Sequence, residues 1–64
     1  MKNLSECERF IIDLRVDQHT KERLWTHALT DMFDAEVEVA MKERRMSETQ
    51  AIQFCLTSTA AELV

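Results

Sequence analysis

Not one glycine or proline occurs among the 64 residues of this chain. No residue specialised for left-handed backbone or for a sharp turn is therefore available, and the spacing of apolar side chains must be accommodated by helices with very short connections. The same absence removes glycine-rich phosphate loops, the strained nucleophile elbow and the tight two-residue hairpin. What remains legible is architecture and the surfaces that must be covered.

A chain of this length forms one domain, residues 1–64, of a size that buries only about 60% of the surface its unfolded form exposes. Such domains usually gain stability from disulfides, a metal or a second copy of themselves. Cys7 and Cys55 are the only cysteines. The polar start Met1, Lys2, Asn3 has no hydrophobic leader character, so the expectation is a cytoplasmic protein with reduced thiols. Uninterrupted apolar runs such as Phe10 to Ile12 fall far short of the ~20 residues needed to cross a bilayer. The net charge of -4, from 8 basic and 12 acidic residues, disfavours generic binding to a phosphate backbone. The one dense basic cluster, Lys42, Arg44 and Arg45, suits the negative end of a helix.

Three helical segments are expected. Asn3 and Ser5 are each followed three residues later by glutamate, Glu6 and Glu8, the spacing of a capping box. Leu4, Cys7, Ile11 and Leu14, widened by Phe10, form an apolar stripe that ends between Asp17 and His19. The second segment runs from Thr20 to Arg45 without a breaker, a rod of roughly 39 Å at 1.5 Å per residue. Leu24, Trp25, Ala28, Leu29, Met32, Phe33, Ala35, Val39 and Ala40 cover about half its circumference, and Val37 and Met41 extend that arc. Thr26, His27, Thr30, Asp31, Asp34 and Glu38 make its solvated, largely acidic face. The third segment begins at Ser47, with Gln50 at capping-box spacing and Met46 and Ala51 placed as a hydrophobic staple. Ile52, Cys55, Leu56, Thr59 and Leu63 form its inner stripe, while Phe54 and Ala61 share another flank.

Both later segments carry more apolar width than one short partner helix covers, and a homodimer is the economical cover. Trp25, Met32, Phe33, Glu36, Val39 and Phe54 are the expected dimer or partner interface, with Asp31, Asp34 and Glu38 as an acidic face. Glu36 is the odd member, a carboxylate inside the apolar arc. It either reaches water at the edge of the stripe or is paired with Arg9, Arg15 or another chain. In the paired case it would fix dimer register, and Glu36→Leu would raise thermal stability while mixing oligomers.

Candidate chemistry is thin. The cysteines and histidines show neither C-x-x-C nor H-x-x-x-H spacing, so no metal ligands are assigned. No nucleophile and base are signalled together, so no catalytic or cofactor-binding residues are assigned, and the chain is not expected to be an enzyme. The alternation of Phe10, Ile12, Leu14 and Val16 with Arg9, Ile11, Asp13 and Arg15 leaves a strand open for residues 10–16. Strand, helix, helix is the order of the ribbon-helix-helix DNA-binding dimers, which the stretch Ser47 to Leu56 resembles as the start of their second helix. The opposing features are a longer first helix, the acidic charge and a turn without glycine.

The opening stretch Leu4 to Arg15, LSECERFIIDLR, resembles short accessory proteins encoded in the early exo to xis interval of lambdoid phages. That resemblance implies a protein made early in phage development that adjusts host physiology or phage development by contacting a host or phage protein. The combined expectation is an all-α protein of three helices, short, long and short, forming a helical hairpin-like homodimer. It binds protein and uses no cofactor. The alternative is a dimeric nucleic-acid-binding regulator of ribbon-helix-helix-like layout, using Arg9 and Arg15 or the basic cluster.

Overall fold

The computed structural model describes residues 3–63 and contains four helices: α1 (Leu4–Asp13), α2 (Gln18–Ala28), α3 (Asp31–Glu43) and α4 (Glu48–Leu63). The architecture is all-α, but the expected three-helix plan is corrected, because the rod from Thr20 to Arg45 is two helices. No strand occurs among the described residues. α1 carries the chain through Asp13, and Leu14 is extended without pairing, so the ribbon expected as an alternative for residues 10–16 is absent.

Thr30 causes the break. Its backbone is extended, with ψ 156°, while Leu29 ends α2 in right-handed helical geometry. The Thr30 hydroxyl donates to the His27 carbonyl oxygen at 2.7 Å and accepts from the Phe33 N–H at 3.2 Å. One side chain thus adds a second hydrogen bond to the His27 carbonyl, which already accepts the Thr30 N–H at 3.0 Å, and serves an orphan donor at the start of the next helix. Asp31 and Asp34 lie in the first turn of α3, where carboxylates suit the positive helix end. The break also resets the helical register. Leu24 and Ala28 before it, and Phe33, Val37 and Ala40 after it, all enter the core, whereas Leu29, Met32, Val39 and Met41 are left exposed.

The first connection follows the same logic. α1 stops at Asp13, earlier than the stripe suggests, because Asp17 takes the N-cap of α2 and accepts the Thr20 N–H at 2.7 Å. Lys21 Nζ reaches back to the Ile12 carbonyl oxygen at 2.6 Å, a cation serving an α1 C-terminal acceptor. The caps expected at Asn3 and Ser47 both form. Asn3 accepts the Glu6 N–H at 3.2 Å. The Ser47 hydroxyl accepts the Gln50 N–H while the Gln50 side chain accepts the Ser47 N–H, both at 3.1 Å. Despite the lack of glycine, one of the described residues does enter the left-handed region: Arg45, at φ 53°, immediately after the α3 cap Arg44.

α4 closes the bundle, packing on α3 most extensively and also on α1 and α2. Cys7 and Ile11 of α1, Leu24 and Ala28 of α2, Phe33, Val37 and Ala40 of α3, and Ala51, Ile52, Cys55, Leu56 and Ala60 of α4 make one continuous core. Thr49 donates to Glu6 at 2.9 Å, tying the first turn of α4 to α1. The radius of gyration is 10.8 Å, against ~10.7 Å for a closed domain of this length. The apolar residues left outside are therefore a property of a closed fold and do not mark an open one.

Candidate interaction surfaces

Exposed apolar side chains line two separate concavities, one beyond the Thr30 break and one formed before it by α1 and α2. The first is a groove of about 450 Å³ between α3 and α4, lined by Met32, Ala35, Glu36, Val39, Ala40, Glu43 and Arg44 from α3 and its cap and by Phe54, Cys55 and Ser58 from α4. Met32, Glu36, Val39 and Glu43 are spaced four, three and four apart, the repeat that keeps side chains on one seam of a helix. Met32 is 68% exposed, Val39 50% and Phe54 37%. The second is a depression of about 450 Å³ bounded by Leu4, Ser5, Glu8, Arg9, Ile12 and Asp13 of α1 and by Trp25 of α2. Ile12 is its most exposed apolar residue, at 61%.

The residues expected from sequence to form one interface are therefore divided. Met32, Glu36, Val39 and Phe54 come together in the α3–α4 groove. Trp25 belongs to the α1–α2 face and is partly buried. Phe33 is fully buried in the core, which its position just after the Thr30 break dictates. Asp31 and Glu38 are exposed and Asp34 is partly buried, with Asp31 and Asp34 in the first turn of α3 and Lys42 in its last.

Glu36 and Arg44, two of the polar groups that line the groove, are engaged inside the chain. Glu36 is partly buried and its Oε1 accepts from His27 Nε2 at 3.0 Å. The side chain is still 39% exposed, so it reaches the solvent edge of the stripe as well as a partner. That partner is neither Arg9 nor Arg15 but a histidine of the preceding helix, across the Thr30 break. The His27 ring also meets the Phe33 ring edge to face at 5.5 Å, an arrangement the aromatic quadrupoles favour. At the other end Arg44 lies over the Phe54 ring, its Cζ 4.7 Å from the centroid, in cation–π geometry. Arg44 thus covers part of the phenylalanine that the sequence leaves unpartnered. The contacts of His27 with Glu36 and of Arg44 with Phe54 were not legible from sequence spacing, because each acts across a helix boundary.

Cys55 sits at the floor of this groove, and burial, reinforced by the nearby Glu36 charge, pushes its thiol above the ordinary value. At neutral pH it is a protonated apolar side chain, unsuited to nucleophilic attack. Cys7 is likewise buried. Among the described residues no three histidine, cysteine, aspartate or glutamate side chains gather around a common point, and no helix is long and apolar enough to cross a membrane. Compared with protein-family models, curated proteins and solved structures, the chain matches none.

Proposed function

We propose that this protein is a non-enzymatic, homodimeric protein-interaction module. The observation that carries this reading is apolar side chains exposed at two separate places on a closed 64-residue fold, Met32, Val39 and Phe54 along the α3–α4 groove and Leu4 and Ile12 among the charged residues of the α1 face. One suffices for self-association, and the other then remains for a different protein. Exposed contiguous apolar surface on a small protein marks association sites, and aromatic side chains such as Trp25 and Phe54 are the usual anchors of such sites. Glu36 and Arg44 of the α3–α4 groove have partners within the chain, and Met32, Val39 and Phe54 give the groove its exposed apolar surface. The likeness of Leu4 to Arg15 to early-region accessory proteins of lambdoid phages supports a phage setting, in which the module acts in the host cytoplasm on a host or phage protein.

Affinity capture from bacterial lysate with the tagged chain, with and without nuclease, tests this function. The expected result is a discrete protein retained after nuclease treatment and lost from the Trp25→Ser or Ile12→Glu variant. Retention of nucleic acid alone, or of proteins released by nuclease, would overturn it.

A further inference from the structure

The apolar arc from Leu24 to Ala40 runs through Thr30 without interruption in the sequence, yet the fold breaks there. On one continuous helix, at about 100° per residue, Leu24 and Phe33 stand at the two edges of that arc and Leu29, Met32 and Val39 lie between them. In the closed fold Leu24 and Phe33 are buried and the three between them are exposed. The bent form thus leaves unused the side chains that would make the stripe continuous.

Neither glycine nor proline imposes the break. Leu29 is already in right-handed helical geometry, and Thr30 beside it is extended, at ψ 156°. Rotating that ψ into the helical range would let the N–H groups of Asp31, Met32 and Phe33 reach the carbonyls of His27, Ala28 and Leu29, the bonds to the fourth preceding residue that the break interrupts. Side chains hold the bend instead. The Thr30 hydroxyl bridges the His27 carbonyl and the Phe33 N–H, and the His27 ring joins Glu36 at 3.0 Å and meets the Phe33 ring edge to face. Both ring contacts exclude a rod, on which His27 and Glu36 would stand ~13.5 Å apart along the axis and on opposite sides, and His27 and Phe33 ~9 Å apart.

Opening the bend separates α1 and α2 from α3 and α4, and the core spans all four. A lone open chain exposes that core. Two open chains restore it, because each contact between the two helix pairs is remade by the same residues of the other chain. The joined helix from Gln18 to Glu43 would be ~39 Å long, against a longest extent of 31 Å for the closed molecule.

We propose that the Thr30 break is a hinge held shut by the side chains of Thr30 and His27, and that opening it joins α2 and α3 into one helix through which two copies exchange their α3 and α4 halves. This goes beyond the interaction module above and depends on neither apolar face.

The double variant Thr30→Ala with His27→Ala tests the hinge, since it removes the latch and raises helix propensity on both sides of it. Sedimentation velocity, small-angle X-ray scattering and circular dichroism read the result at a dilution at which the native chain is monomeric. The expected result is retained helix, a dissociation constant lowered by about tenfold or more, a maximum dimension beyond that of the closed molecule, and a dimer that persists on further dilution because it reverts only by opening its core. Adding Leu29→Gly, which penalises a helix through the hinge and removes a half-exposed side chain, is expected to return the variant to a monomer. If the double variant loses its helices, Thr30→Ala alone is read in the same way. A helical monomer of native dimensions, or a dimer that dissociates promptly on dilution and is indifferent to Leu29→Gly, would overturn the hinge.

Discussion

The left-handed backbone at Arg45 is the clearest local conflict in the chain. With φ at 53°, a side chain with a Cβ sits where glycine is normally found just beyond a helix end, at a cost of roughly 1 kcal/mol. Arg45→Gly is therefore expected to stabilise the fold by about 0.5–1 kcal/mol, and Arg45→Val to destabilise it; urea unfolding of the three proteins measures both. A loss of stability in Arg45→Gly would mean that the arginine side chain contributes more than its backbone strain removes. Glu36 teaches a related lesson. Its place within an apolar arc was legible in the sequence, but its partner was not, because His27 reaches it only after the chain has bent between them.

At the scale of helices, the outcome turned on caps. Asn3 and Ser47 were legible because a glutamate or glutamine stands three residues beyond each, and both caps form. Asp17 and Thr30 have Thr20 and Phe33 at that position, so the reciprocal signal is missing, and the apolar pattern runs on past Thr30 as if one helix continued. Hidden in that continuity is a side chain that serves both helix ends. Thr30→Ala is expected to lower stability by about 1 kcal/mol or slightly more, measured by chemical denaturation, whereas Thr30→Ser should retain most of it. The Asp17 cap gives α2 a pH dependence. The Thr20 N–H and then the Thr20 hydroxyl hold its carboxylate below the ordinary value of 3.8, with a further contribution from His19. Since the folded chain binds this proton less readily than the unfolded chain, the cap's contribution is fully present above about pH 4 and is lost as pH falls through the folded value. Asp17→Asn is expected to flatten the acid limb of a stability profile between about pH 5 and pH 2. An unchanged acid limb would place the sensitivity at other carboxylates.

For the molecule as a whole, the sequence carried an excess of apolar width whose distribution only the fold could reveal. An unbroken second helix would have shown Trp25, Phe33 and Val39 to the same neighbour. The two-residue interruption at Leu29 and Thr30 turns Phe33 into the core, leaves Trp25 with α1, and assembles Met32, Glu36, Val39 and Phe54 beside α4. Four short helices thus bury twelve apolar residues in one cluster and still leave apolar side chains exposed at two places. A small core of this kind benefits from any partner that binds only the folded state, which links the fold's modest size to its proposed function. The most direct test of that link is dilution of the isotopically labelled chain, followed through its backbone amide NMR resonances from millimolar to low micromolar concentration. Self-association predicts concentration-dependent shifts gathered on one face, either Met32, Val39, Phe54 and Ser58 or Ile12 and Trp25, with the other face unmoved. No shift at any concentration would contradict it.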